Sequence, residues 1–176
     1  MQLSQAITNR PILSLRTGGQ VGIALEPIIN PNNLKIEGWY CQDKFSKHKL
    51  LLVSRDVRDI IQQGIVVNDH EVLTDPDEVV RLKDILKLKF DLINKPVATE
   101  KKKKIGKVTD FATEMQSLYV IKLYVSQPIL KNLSGGMLLV DRTQILEITT
   151  KKVVIQDPLQ GKPLADTAPA SAPAMP

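Results

Sequence analysis

A chain of 176 residues fits one or two domains. Its hydrophobic fraction of 43% is ordinary for a globular protein, but aromatics reach only 4%, so the core must be Val, Ile and Leu, a bias that suits strands. The net charge of +5 permits RNA, an acidic membrane surface or an acidic protein as partner and requires none of them, while the lone Cys41 excludes an intramolecular disulfide.

The opening, MQLSQAITNRPILSL, lacks the apolar core of a signal peptide, and no apolar run approaches the ~18 residues of a spanning helix. A soluble protein of the cytoplasm is therefore expected.

Residues 11–15 read as a first strand, with Pro11 at its start, where no ladder donor is lost. After the turn LRTGG, residues 20–29 form a longer strand that ends at Asn30-Pro31-Asn32-Asn33, four turn residues in a row. Residues 34–42 alternate Leu34, Ile36, Gly38 and Tyr40 against Lys35, Glu37, Trp39 and Cys41, the period of two expected of a strand. Residues 50–53, 57–61 and 65–68 give three more strands, the last two joined by Gln62-Gln63-Gly64.

Asp75-Pro76-Asp77-Glu78 has the chemistry of a helix start: a capping acid, proline at the first position and acids in the first turn. Val79, Leu82, Ile85 and Leu86 then recur at helical spacing, which predicts a helix over residues 76–86. Six further strands follow at 95–100, 105–113, 118–125, 137–140, 144–149 and 152–156. Strand 118–125 is apolar on both faces, so both must be covered, the outer one by the first half of the chain. From residue 159 the chain is Ala/Pro-rich and reads as a disordered tail.

These strands repeat. Asn9-Arg10-Pro11-Ile12 returns as Asn94-Lys95-Pro96-Val97, 85 residues on, and Val21-Gly22 as Ile105-Gly106, 84 on. Leu51-Leu52-Val53 with Arg55 aligns with Leu138-Leu139-Val140 and Arg142 at 87; Val57, Ile60 and Ile65-Val66-Val67 align with Ile145, Ile148 and Val153-Val154-Ile155 at 88. Two units, 7–73 and 92–158, flank a linking segment, 74–91. Six short strands per unit favour a small barrel, which hides strand edges. A unit of this size is marginal alone, so two are expected to pack together.

The Asn-x-Pro-Ile/Val opening, the Val-Gly or Ile-Gly pair and the Leu-Leu-Val…Arg…Val-Val ending resemble the PRC-barrel, the small β-barrel of photosynthetic reaction-centre H subunits and of the C-terminal half of ribosome maturation factors. The resemblance spans residues 7–158 and points to bacterial tandem PRC-barrel proteins. It implies a mostly β fold of two six-stranded PRC-type barrels joined by a short amphipathic helix. It also implies a docking role, as such barrels serve unrelated systems.

Convergent reactive groups are scarce. His48 and His70 lie 22 residues apart, unlike the tighter spacing of metal ligands. Cys41, on a strand, reads as a buried thiol rather than a nucleophile. The acids Asp56, Asp59, Asp69, Glu71, Asp75, Asp77 and Glu78 fit loop solvation and the helix start better than a carboxylate pair. Gly18-Gly19 and Gly135-Gly136 lack a phosphate-cradling context and read as hairpin turns. No catalytic residue, metal or cofactor is expected, and no small-molecule substrate is evident.

The candidate binding residues are basic. Lys101, Lys102, Lys103 and Lys104 offer a grip on the phosphates of RNA or a lipid headgroup. They also stand where the first unit has its Arg16–Gly19 turn, so a solvated turn accounts for them more simply. Arg55 and Arg142 read as one residue kept in both units, bonding barrel-corner carbonyls or presenting a fork to a partner carboxylate. Arg81, Lys83 and Lys87 add charge to the linking helix. The expectation is a non-catalytic scaffold with a protein partner, its surfaces being the groove between units, the linking helix and the basic turn. RNA or ribosome association is the alternative, and a peripheral membrane surface stands behind both.

Overall fold

A computed structural model describes residues 1–46, 48–127 and 136–158; the tail expected from residue 159, like Gly135, lies outside them. The protein is mostly β, with one short α-helix among the described residues. Its strands are β1 (Gln2–Leu3), β2 (Arg10–Ser14), β3 (Gln20–Asn30), β4 (Lys35–Asp43), β5 (Lys49–Val53), β6 (Val57–Ile61), β7 (Gly64–Val67), β8 (Leu73–Thr74), β9 (Pro96–Thr99), β10 (Lys104–Thr113), β11 (Val120–Ser126), β12 (Met137–Asp141), β13 (Ile145–Ile148) and β14 (Val153–Ile155); the helix is α1 (Lys83–Lys87). Among the described residues no helix is long and apolar enough to cross a membrane.

The strands form two sheets with one topology. The first runs β6-β7-β2-β3-β4-β5-β8 and the second β13-β14-β9-β10-β11-β12, with β1 added alongside β10. Opening and closing strands run parallel in each, β2 beside β7 and β9 beside β14. Register carries the repeat further. Ala24 faces Cys41 as Val108 faces Val125, 84 residues on. Tyr40 faces Leu51 as Tyr124 faces Leu139, so the fifth strand is displaced by 88.

That register corrects the alignment at 87. A one-residue slip turns every side chain of a strand to the other face, so only 88 keeps the alternation. Arg142 consequently opens the short 3₁₀ turn Arg142–Gln144 where Ser54 opens Ser54–Asp56; it is not the counterpart of Arg55. Runs of leucine and valine are degenerate, and nothing in them separates the two alignments.

Backbone constraints repeat as well. Left-handed conformations recur at Asn9 and Asn94 (φ 53° and 64°), Gly18 and Lys102 (68° and 62°), and Leu34 and Leu118 (57° and 59°). Gly22 and Gly106 hold the same register position: a Cβ on either would strike the carbonyl oxygen of the facing strand, Gln42 or Ser126. The Val-Gly and Ile-Gly pairs are therefore dictated by the close approach of two backbones.

The units join at their hairpin tips. The Ile36 N–H donates to the Leu118 carbonyl at 2.8 Å, the Val120 N–H donates to the Leu34 carbonyl at 2.9 Å, and Lys35 bridges antiparallel to Tyr119. Beneath them one apolar cluster is continuous across both units, with Ile12, Trp39, Leu52 and Ile65 from the first and Val97, Phe111, Leu123 and Ile155 from the second. The Trp39 indole N–H donates to the Ile7 carbonyl at 2.9 Å, so the largest core side chain is also polar-satisfied.

Three expectations need correction. The sheets do not close into barrels among the described residues: β6 and β8 end the first path, β13 and β12 the second. The linking helix does not span 76–86. The Asp77 N–H donates to Asp75 Oδ1 at 2.9 Å and the Glu78 N–H to the Asp75 carbonyl at 3.0 Å, closing a turn; β-branched Val79 leaves helical space at ψ 72°. A 3₁₀ turn, Val80–Leu82, and then α1 follow. Strand 118–125, finally, docks through its backbone at Tyr119 rather than through a whole outer face. The register shift between Ala112 and Thr113, which pair with Lys122 and Val120, lets Ile121 slip, so Val120 and Leu123 are both buried.

Gly22→Ala and Gly106→Ala are expected to destabilise the protein by about 1–3 kcal/mol each, the cost of overpacking. Gly19→Ala, with nothing nearer to its Cβ than Thr17 Oγ1 at 3.6 Å, is the near-neutral control in the same urea titrations.

Candidate functional site

A cleft of about 470 Å³ opens where the N-terminal segment, the first sheet and the linker meet. Strand alternation puts Glu26 and Ile28 of β3 and Tyr40 of β4 on one face of the sheet, and α1 packs against β3 on the linker side. Ser4 and Thr8 enter from the 3₁₀ turn after β1, Ile85, Leu86 and Phe90 from the linker, and Phe111 from β10. Because β1 pairs with β10, the N-terminus of the first unit is stitched to the second sheet and forms one wall. Burial, and then the nearby charge of Glu26, push the Tyr40 hydroxyl above its usual value. Beside the cleft, the Lys95 ammonium sits 4.5 Å from the Phe90 ring centre and donates to the Thr150 carbonyl at 2.7 Å. Burial lowers its pKa, and the charge of Asp91 partly opposes that.

A second hollow, about 370 Å³, lies between the first unit's hairpin tip and β13. Arg142 forms its wall: the guanidinium lies 4.4 Å from the Tyr119 ring centre and donates to the Asn33 carbonyl at 2.8 Å. Its role is to bond a carbonyl across the unit boundary. Arg55 is more exposed and meets Asp56 at 3.6 Å.

Lys101, Lys102, Lys103 and Lys104 are all exposed. They sit at the β9–β10 connection, where the Lys102 N–H donates to the Thr99 carbonyl and the Thr99 N–H to the Lys103 carbonyl, each at 2.9 Å. Lys102 takes the left-handed position that Gly18 takes in the first unit. Arg81, Lys83 and Lys87 are exposed on the linker, where Lys87 pairs with Asp84 at 3.2 Å. The two basic groups thus belong to different elements. Residues 92–158 carry 11 Lys and Arg against 6 Asp and Glu, so the excess charge of the chain resides in the second unit.

One polar cluster escaped sequence reasoning because its members are 27 residues apart. Buried Asp43 accepts a 2.7 Å bond from His70 Nε2 at one oxygen and a 2.6 Å bond from the Ser46 hydroxyl at the other. Burial would raise its carboxyl, but these bonds, a backbone N–H from Phe45 and the His70 charge outweigh it and bring the group to about 2. The carboxylate is the hub, with serine bonded to the acid and not to the imidazole, so no activated nucleophile results. Phe45 meets the His70 ring edge-on at 5.1 Å. Cys41 is fully buried, and burial pushes its thiol up to about 12. Among the described residues no group of three or more His, Cys, Asp or Glu could hold a metal.

No protein-family model matches the chain, and no curated protein matches it.

Asp43 is depressed below its ordinary 3.8, so its stabilisation is complete above that pH and disappears as the pH falls to about 2. Asp43→Asn is expected to cost about 1–3 kcal/mol at neutral pH and to flatten that acid limb of the stability profile. The Cys41 thiol is expected to resist thiol reagents in the native protein and to react in full once urea unfolds it.

Proposed function

We propose that this chain is a non-catalytic scaffold of two PRC-barrel-type modules that binds a protein partner in the cleft beside the linker. The observation that carries the proposal is the composition of that cleft. Half-buried Ile85, Leu86 and Phe90 line it, a polar rim of Ser4, Thr8 and Glu26 surrounds it, and three parts of the chain converge on it. Such a surface can hold an apolar anchor and orient it by hydrogen bonds. Kinship with PRC-barrel modules rests on the Asn-x-Pro opening and the Val-Gly or Ile-Gly pair, which fall on repeated left-handed and close-approach positions. Ring closure is no part of that argument.

A photo-crosslinker placed at Ile85 tests this reading in cells that make the protein. One partner should be captured reproducibly from Ile85 and not from exposed Val80, and the purified pair should bind with affinity lowered about tenfold by Leu86→Lys, the range of a buried interface contact. Turnover of a small substrate by the purified chain, with no such partner, would overturn it.

The charge of the second unit supports a second reading, RNA or ribosome association through Lys101, Lys102, Lys103 and Lys104. Binding of a single-stranded RNA probe should then weaken steeply with salt, and changing the four lysines to Ala should flatten the log–log slope by about 0.7 per lost phosphate contact. Equal binding by the Ala variant at low salt would eliminate it.

A further inference from the structure

The first sheet finishes its edge in a way the second does not. β8 pairs antiparallel with the outer edge of β5, Thr74 facing Leu51 and Leu73 facing Leu52, and both β5 leucines are fully buried. β12 is the counterpart of β5, with Leu139 at the place of Leu51 and Val140 at that of Leu52. Val140 is 2% exposed, so β12 is firmly seated, yet Leu139 is 47% and Met137 66% exposed. Among the described residues no strand pairs with the edge of β12 that faces away from β11. An open edge with exposed apolar side chains is a template for another strand.

The charge around it selects the occupant. Lys122 faces Asp141 across the β11–β12 ladder, and alternation puts it on the face of Leu139 and Met137. Lys107 lies opposite Ser126, whose other neighbour is Met137, on that same face. This face belongs to the basic unit, so a second copy would bring like charges together, whereas an acidic strand would neutralise them.

We propose that the free edge of β12 receives an extended, acidic segment of a partner protein by strand addition, its apolar residues covering Leu139 and Met137 and its carboxylates meeting Lys107 and Lys122. The inference deepens the scaffold reading and rests on it.

A displayed library of short random peptides, panned against the full chain, tests the proposal. Enriched sequences should alternate apolar and acidic positions and should protect the β12 amides from hydrogen exchange. Their affinity should fall at least ~tenfold with Leu139→Lys, about 1.4 kcal/mol or more. Leu146→Lys, at 48% exposure on β13, should bind like the parent, and Met137→Glu should weaken binding by repulsion. Thermal melts establish that each variant is folded.

Enriched peptides that bind Leu139→Lys as well as the parent would overturn the proposal. So would a dimer that Leu139→Lys dissociates, or β12 amides that lose protection when residues 159–176 are deleted, since each assigns the edge another occupant. If the edge fails while crosslinking from Ile85 still captures its partner, the scaffold reading stands. Substrate turnover, by contrast, would sink the scaffold reading whatever the edge binds.

Discussion

Two hydrogen bonds between hairpin tips fix the relation of the units. Leu34 and Leu118 each turn left-handed at the same step of their hairpin, and each offers its carbonyl to the strand that follows the other tip. The exchange is reciprocal, so the two tips are related by a local two-fold through the Lys35–Tyr119 bridge. A leucine in left-handed space costs about 1–2 kcal/mol. The cost is offset because both side chains enter the shared core, where Leu34 is 3% and Leu118 8% exposed. Neither sheet has a complete dry side without the other.

From that junction the molecule becomes asymmetric, and the asymmetry is where function resides. Arg142 crosses the boundary to Asn33, while Ser54 holds the matching position in the first unit. The linker covers one face of the first sheet, and Ile28, Leu51 and Leu82 are buried away from the main core. The corresponding face of the second sheet carries Lys107, Lys122, Tyr124 and exposed Leu139. A copied module has thus kept its interior and diverged at its edges, where substitutions are cheap and partners are met.

The buried polar groups are engaged in holding the fold. Asp43 organises Ser46 and His70, and Trp39 fastens the N-terminal segment through Ile7. Asp69 accepts the His70 backbone N–H and meets Arg16, so the chain after β7 is tied to the turn before β3. These groups prevent desolvated polar atoms from going unpaired.

The sequence by itself determined the strands, their order within each unit and the repeat. Alternation is local, and Gly, Pro and Asn punctuate it wherever the backbone must turn or approach closely, as at Asn9, Gly22 and Gly106. It could not place Arg142, because leucine-rich strands align equally well one residue apart and only cross-strand pairing breaks the tie. It overread the acidic start at Asp75, where a side chain–backbone turn competed with a helix and won. The cleft, the Asp43 cluster and the open edge of β12 were decided by tertiary structure alone. Each depends on which segments distant in sequence lie side by side, and no local periodicity encodes that.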